Sequence, residues 1–299
     1  MGSVNDVKGR VVAITGGGRG IGLSTARALR AAGARVAIGD VDGKAVTAAA
    51  DRLGADVLAS GLDVTDRDSF AAFLALIERE LGPLDVLVNN AGIMPIGPMV
   101  DEPDDVARRV FEVNVLGCLT GTKLALPGML RRGRGHIVNV ASAAGKSPVP
   151  GGASYAASKA AIVSLTETAR VEHAGRGVAF TCVMPSFTAT ELIAGTKGTR
   201  FVPTVAPDHV AAAIAAAISR PRADVYVPRS VGAILRAQPL LGRRLRDAIN
   251  HRLGADRTFL DVDPAARAAY DERIRAPRAS TSAVTEHAAA GSRPEKADG

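Results

Sequence analysis

The sequence lacks several features that are typical of secreted or membrane-spanning proteins. Its 299 residues include only two cysteines and no tryptophan, and aromatic residues make up 3% of the chain. Cys118 and Cys182 have no C-x-x-C partner and cannot form a disulfide framework, so we expect a reduced, cytoplasmic setting. No segment approaches the roughly 20 apolar residues of a transmembrane helix, and the N-terminus has no apolar run typical of a signal peptide.

Metal ligands and nucleic-acid-binding features are also scarce. The five histidines, none of them at paired metal-ligand spacing, are His136, His173, His209, His251 and His287. We therefore predict no metal site. The formal net charge is +7, and residues 229–252 hold six arginines against the single acid Asp247. Because this segment has no aromatic residue for base stacking, we expect a solvated helix face and no nucleic acid, while peripheral contact with a membrane stays open.

Short β-branched segments alternate with longer amphipathic segments as far as about residue 228. The predicted strands are 10–15, 34–39, 56–60, 84–89, 136–141, 178–185 and 224–228. The predicted helices lie near 21–32, 43–53, 66–81, 104–131, 154–174 and 207–219. Strands and helices in this rhythm predict a three-layer α/β/α fold with a parallel sheet.

A glycine-rich turn between the first strand and the first helix predicts a phosphate site. Residues 15–22 read TGGGRGIG, where glycine lets the backbone approach a pyrophosphate and the helix N-terminus offers N–H groups. Asp40 stands at the end of the second strand, where a carboxylate accepts bonds from ribose hydroxyls and repels a 2′-phosphate. This favours NAD. Arg19 supports NADP instead, and a helix cap is the other role open to Asp40 or Asp42.

Six motifs in order carry a resemblance to a known family. They are TGGGRGIG (15–22), LDV (62–64), NNAG (89–92), Asn114 in FEVNVLG, Ser142 in NVASAAG and YAASK (155–159). From about residue 8 to 228 the chain resembles the short-chain dehydrogenases/reductases. The resemblance implies a Rossmann-type doubly wound parallel sheet of about seven strands with a helical C-terminal extension. We expect residues 1–228 to form the dinucleotide-binding catalytic domain, 229–275 to be a helical extension packed on it, and 276–299 to be a disordered tail.

The family resemblance also implies catalytic roles for four residues. Tyr155 would exchange the proton, and the charge of Lys159, one helical turn along, would favour its phenolate together with the charge of an oxidised nicotinamide. Ser142 would orient the substrate oxygen, and Asn114 would hold a water that links Lys159 to solvent. Hydride would pass between the substrate carbon and the nicotinamide.

The implied cofactor site is larger. Its residues are Gly16, Arg19, Gly20, Ile21, Gly22, Asp40, Asp63, Val64, Asn90, Ala91, Gly92, Tyr155, Lys159, Pro185, Thr188 and Thr190. One position departs from the family, because Ser186 follows Pro185 where glycine is usual. A serine fits there only if its φ is negative.

The substrate site is expected to be mostly apolar, and its predicted residues are Met94, Ile96, Ser142, Val149 and Tyr155. Such walls favour a steroid-like or lipid-like secondary alcohol and its ketone as substrate. The alternatives are an NADPH-dependent carbonyl reductase and a non-catalytic nucleotide-binding regulatory protein on the same fold. The helices at 104–131 and 154–174 carry apolar and small residues around much of their circumference, so we expect a homodimer or homotetramer.

Overall fold

The chain folds around one parallel sheet. A computed structural model describes residues 7–196, 204–252 and 257–275. The sheet has seven strands in the order β3-β2-β1-β4-β5-β6-β7, and every neighbouring pair is parallel. The predicted seven-stranded, doubly wound α/β/α fold is therefore confirmed. The tail predicted for 276–299 lies outside the described residues.

The strands and helices follow the predicted alternation closely. The strands are β1 (Val11–Thr15), β2 (Arg35–Asp40), β3 (Leu58–Gly61), β4 (Val86–Asn89), β5 (Gly135–Val140), β6 (Val178–Pro185) and β7 (Asp224–Val227). The helices are α1 (Gly20–Ala31), α2 (Gly43–Leu53), α3 (Arg67–Leu81), α4 (Asp104–Phe111), α5 (Gly117–Arg132), α6 (Ala153–Glu172), α7 (Pro207–Ser219), α8 (Arg229–Ala237), α9 (Arg243–Arg252) and α10 (Pro264–Arg275).

Alternate residues of each strand face opposite layers of helices. Val12 and Ile14 of β1 belong to the core shared with α1, α2 and α7. Val11 and Ala13 belong to the second core, which α3 and α5 complete. Successive side chains of a strand point to opposite faces, so a strand buried on both faces is a continuous apolar run. This is why VVAIT carries no polar residue before Thr15.

The order of the strands places the site. Chain order reverses between β1 and β4, because β1 leads outward to β2 and β3 while β4 leads the other way. In open α/β sheets, ligands bind at the carboxyl ends of the strands beside this point. The glycine-rich turn after β1 and the NNAG segment at the end of β4 both lie there.

The helix that runs through α4 and α5 is unusually long. Residues Asp104–Arg132 form one helical stretch of 29 residues, long and apolar enough to cross a membrane by length and composition alone. The sequence analysis expected no such segment. A core helix passes the same test, and Asn114 and Cys118 of this stretch are buried against the body of the protein. Length and composition are therefore weak evidence for a span here.

Candidate active site

The glycine-rich turn is fixed to the end of β4 by Asn90. Its side-chain amide donates to the carbonyl oxygens of Thr15 at 2.9 Å and Gly16 at 3.1 Å. The Thr15 hydroxyl accepts in return from the backbone N–H of Asn90 at 3.0 Å. Gly16 has φ +65°, and a Cβ there would lie 2.9 Å from the Ala91 Cα. Gly22 is equally restricted, because its Cβ would lie 2.1 Å from the Gly16 carbonyl oxygen.

Asp40, at the end of β2, lies beside the glycine-rich turn. Its carboxylate accepts N–H bonds from Gly18 at 3.0 Å and Asp42 at 3.1 Å. Burial raises the pKa of Asp40, while these two N–H donors and nearby Arg19 oppose the shift. The cap of α2 is Asp42, which accepts from the Ala45 N–H at 3.0 Å. Asp40 is therefore not needed as the helix cap, and its carboxylate lines the cavity.

Arg19 is held by two carboxylates. It forms an ion pair with Asp42, and its Nε lies 3.9 Å from Glu191 Oε1. Glu191 in turn pairs with Arg273 of α10. The positive charge of Arg19 is thus balanced within the protein, which weakens the sequence argument that Arg19 attracts a 2′-phosphate.

One cavity of about 670 Å³ joins these cofactor residues to the predicted catalytic residues. Of the predicted cofactor residues, those that line it are Gly16, Arg19, Gly20, Ile21, Asp40, Asp63, Val64, Asn90, Ala91, Gly92, Tyr155, Lys159, Pro185, Thr188 and Thr190. Gly22 lies beneath the turn and supports it. Ser186 has no positive φ, since no non-glycine residue of the described chain has one, so serine is accommodated.

Ser142, Tyr155 and Lys159 meet at the middle of the cavity. Ser142 follows β5, and its Oγ accepts the Ala144 N–H at 3.1 Å. Tyr155 and Lys159 lie one turn apart on α6, and Lys159 Nζ is 5.7 Å from the centre of the Tyr155 ring. Lys159 Nζ also donates to the Val140 carbonyl oxygen at 2.9 Å. The three side chains therefore face the same space from two neighbouring elements.

Burial dominates the ionisation of this pair. It raises the pKa of Tyr155, and a hydrogen bond with Ser142 acts in the opposite direction. Burial also lowers the pKa of Lys159 to about 8. Burial raises the pKa of Cys118 and of Cys182 to about 12, so both free thiols are inert near neutral pH.

Asn114 lies in a π-helical turn, Glu112–Leu116, between α4 and α5. Its Oδ1 accepts the Ile93 N–H at 2.8 Å, and its Nδ2 donates to the Ile93 carbonyl and to Ser158 Oγ, both at 3.0 Å. Both amide protons are therefore committed, and the side chain ties the segment after β4 to α6. A bound water would have to use the remaining Oδ1 lone pair or a backbone group of this turn.

The substrate end of the cavity is apolar. Met94, Tyr155 and Phe259 form its buried centre. Val149, Phe187 and Leu192 pack around them and line the cavity, as Met94 does. Ile96 packs against the same cluster but is not among the residues that line the cavity. Met94 and Val149 thus line the apolar end of the cavity, while Ile96 packs against the same cluster outside the lining.

Helix α10 supplies a wall in which the sequence analysis named no site residue. Arg267 is 1% exposed and donates to the carbonyl oxygens of Leu192, at 2.7 Å, and Met94. The Tyr270 hydroxyl accepts the Met94 N–H at 2.8 Å. Tyr270, Arg273 and Ile274 line the cavity. One signal was present in the sequence, because Arg267, Tyr270 and Ile274 recur at helical spacing on one face.

Helix α8 supplies further lining residues. Val231, Ile234 and Leu235 line the cavity, as does Gln238 just after the helix. Gly232 packs on the Tyr226 ring of β7, where a Cβ would come within 2.7 Å of it. Two helices of the segment after residue 228 therefore contribute to the lining of the cavity.

The cleft fits a nicotinamide dinucleotide. A turn in which side chains are sterically excluded would admit the pyrophosphate, and Asp40 stands where the adenosine ribose would lie. Among the described residues, no group of three or more His, Cys, Asp or Glu side chains is arranged to hold a metal ion. Fold and cleft together define a nucleotide-binding oxidoreductase of the Rossmann type.

Comparison with known proteins identifies the family. A model of the short chain dehydrogenase family matches residues 10–199. The chain is 44% identical over 165 residues (55% of this chain, 72% of the relative) to "inactive 2-(S)-hydroxypropyl-CoM dehydrogenase 2" of Xanthobacter autotrophicus. It is 32% identical over 253 residues (83% of this chain, 85% of the relative) to estradiol 17-beta-dehydrogenase 11 of Rattus norvegicus.

A solved structure gives the same answer. A short chain dehydrogenase/reductase from Burkholderia phymatum, crystallised in complex with NAD, matches with a TM-score of 0.71 and 28% identity, over 77% of this chain and 93% of that one. The chain belongs to the short-chain dehydrogenase/reductase family, enzymes that act on CH–OH groups with NAD or NADP as acceptor.

Proposed function

We propose that this enzyme interconverts a hydrophobic secondary alcohol, steroid-like or lipid-like, and its ketone with NAD(H). The observation that carries the proposal is the single cavity with Asp40 at one end, Ser142, Tyr155 and Lys159 in the middle, and an apolar chamber at the other. The name of the rat relative, an estradiol dehydrogenase, supports a substrate of this class.

The preference for NAD rests on charge. A 2′-phosphate beside Asp40 would meet a carboxylate at close range in a poorly screened site. Arg19, the cation nearest to this position, is already paired with Asp42 and Glu191. The NADPH-dependent alternative would require a rearrangement of these pairs. The NAD-bound relative of known structure supports the same choice.

The residues divide the chemistry between them. Ser142 donates a hydrogen bond to the substrate oxygen, and Tyr155 takes the hydroxyl proton during oxidation or returns it during reduction. Lys159 adds positive charge near the phenol, which favours its ionised form. When bound, the nicotinamide accepts or supplies the hydride. The apolar walls exclude water from the reacting carbon.

Turnover assays test this function directly. We expect NAD⁺ reduction with apolar cyclic and long-chain secondary alcohols, and slow or absent reduction with sugar alcohols and hydroxy acids of similar size. The Tyr155→Phe variant is the matched control, because it removes one hydroxyl from the buried cluster. Preferential turnover of the polar substrates, or equal turnover by the control, would contradict the proposal.

A non-catalytic nucleotide-binding role is the second candidate, since the name of one relative describes it as inactive. The full set of Asn114, Ser142, Tyr155 and Lys159 favours catalysis in this chain. A protein that binds NADH but turns over no alcohol or ketone in the assays above would support the second candidate.

We also propose a homodimer or homotetramer built on α4, α5 and α6. Phe111, Leu116 and Val171 are large apolar residues of this region that are 40%, 52% and 60% exposed in the single chain. Their burial between copies would remove apolar surface from water. Light scattering should give a multiple of the 30.6 kDa chain mass at micromolar concentration, and Leu116→Glu should lower that mass. A monomer in the parent protein would refute this.

A further inference from the structure

We propose that α8, α9 and the turn between them form a docking surface for an anionic lipid membrane, beside the mouth of the substrate cavity. We call residues 229–252 the basic ridge. The docking itself does not require the proposed function, although its use for substrate entry rests on it.

The apolar part of the basic ridge consists of Ile234 in α8 and of two leucines in the turn that follows it. Leu240 is 86% exposed, Leu241 is 38% exposed, and Ile234 of α8 is 56% exposed. Single exposed leucines need no explanation, but three large aliphatic side chains grouped within eight residues do. They can enter the boundary between headgroups and acyl chains without unfolding the protein.

The charged residues of the basic ridge precede and follow these side chains in the sequence. Five arginines of the basic ridge are exposed, and they are Arg229, Arg236, Arg243, Arg244 and Arg252. Arg246 is half-buried and pairs with Asp247, which is the acid of this segment. The surface is therefore strongly positive. A positive surface that carries exposed leucines is complementary to anionic phospholipid, where both charge attraction and apolar burial contribute.

The position of the basic ridge beside the substrate cavity suggests that membrane contact serves substrate entry. Ile234 and Gln238 line the substrate cavity, and Leu240 follows two residues later. A membrane held against Leu240 and Leu241 would lie next to the apolar chamber. An apolar alcohol dissolved in the bilayer would then reach Tyr155 without crossing bulk water.

Vesicle sedimentation of the full chain tests the docking. We expect binding to phosphatidylcholine vesicles that contain about one third phosphatidylglycerol to be at least about tenfold stronger than to phosphatidylcholine alone, and to weaken as salt is added. The double variant Leu240→Ser, Leu241→Ser should lose about tenfold in binding to the anionic vesicles. The double variant Arg243→Glu, Arg244→Glu should lose the preference for anionic lipid.

A charge-matched control separates local from global electrostatics. Arg52 and Arg67 are exposed on α2 and α3, near β3 at the opposite edge of the sheet from β7. Arg52→Glu with Arg67→Glu changes the net charge equally and should bind anionic vesicles like the parent chain. NADH binding by all variants confirms that they are folded. Tyr155→Phe should bind vesicles as the parent chain does, so a failure of the proposed enzyme function would be recognised separately from a failure of docking.

Three results would overturn the proposal. The first is equal binding to neutral and anionic vesicles, and the second is an equal loss of binding in the control variant. The third is binding of a duplex DNA oligonucleotide that the leucine substitutions leave unchanged, together with no binding to anionic vesicles, since this would assign the arginines to nucleic acid.

Discussion

Arg267 attaches α10 to the segments that contain Met94 and Leu192. Replacement of Arg267 by methionine should release the helix. The guanidinium contacts three polar partners, the Leu192 and Met94 carbonyls and the Asp271 carboxylate. Methionine fills similar volume but donates no hydrogen bond. Asp271 keeps some contact with water, since its side chain is 29% exposed, whereas the two carbonyls lose a donor inside the protein.

The size of the effect follows from those two carbonyls. A buried acceptor without a partner costs about 1–3 kcal/mol, so two of them cost about 2–6 kcal/mol. Because Leu192 is only half-buried, we take about 3 kcal/mol against the docked position of α10. Since 1.4 kcal/mol is a factor of ten, the detached fraction of α10 should rise on the order of 100-fold. Tyr270 and Ile274 leave the cavity when α10 detaches. The KM for an apolar alcohol should therefore rise while NADH affinity stays close to that of the parent.

Hydrogen exchange measured by mass spectrometry reports the detachment directly. Peptides that cover 264–275 should exchange on the order of 100-fold faster in Arg267→Met, and peptides from β1 and β4 should be unchanged. The matched control is Arg275→Met, because Arg275 is an exposed residue of the same helix. Unchanged exchange and KM in Arg267→Met, or the same changes in both variants, would refute this role for Arg267.

Three further predictions concern the catalytic and cofactor residues. Tyr155→Phe should abolish turnover and leave NADH affinity, measured by fluorescence titration, within a few-fold of the parent. Burial lowers the pKa of Lys159 from 10.5 to about 8, so the unfolded chain binds more protons than the folded chain between these two pH values. The free energy of unfolding should therefore rise by about 3 kcal/mol as pH increases from about 8 to 10.5. Urea denaturation should show the rise in the parent and lack it in Lys159→Met. Asp40→Ala should weaken the preference for NADH over NADPH, and an unchanged affinity ratio would contradict the role of Asp40.

The fold could be predicted because its signals are local. Each strand is a short β-branched segment, and a helix lies between successive strands. This alternation predicts a parallel sheet without any knowledge of tertiary contacts. The position of Asp40 at the cleft is predictable for the same reason, since the carboxyl end of β2 lies at that edge of the sheet. The continuous cavity from Asp40 to Tyr155 follows from that arrangement.

The individual residues of the C-terminal wall could not be predicted because their contacts are distant in sequence. Arg267 binds a carbonyl 173 residues away, at Met94, and another 75 residues away, at Leu192. An arginine on a helix is usually solvated, and nothing near residue 267 indicates that its charge is buried. The roles of Ile96 and Asn114 depend in the same way on packing, because a motif gives a residue its place but not the direction of its side chain.

The ionisation of Tyr155 depends on burial as well as on nearby charge. The sequence analysis expects the charges of Lys159 and of an oxidised nicotinamide together to favour the phenolate. Burial acts against this, because it raises the pKa of Tyr155 and lowers the pKa of Lys159 to about 8. In the protein without cofactor, the lysine therefore does not outweigh burial, and the phenol should titrate above its usual pKa of about 10. The positive charge of NAD⁺ would favour the phenolate.

Difference ultraviolet spectra between the parent and Tyr155→Phe should show this titration above pH 10 without cofactor and at lower pH with NAD⁺. In Lys159→Met the titration with NAD⁺ should move back to higher pH, since one of the two positive charges is gone. A phenol that titrates below pH 10 in the empty protein, or that ignores NAD⁺, would show that the protein alone activates Tyr155.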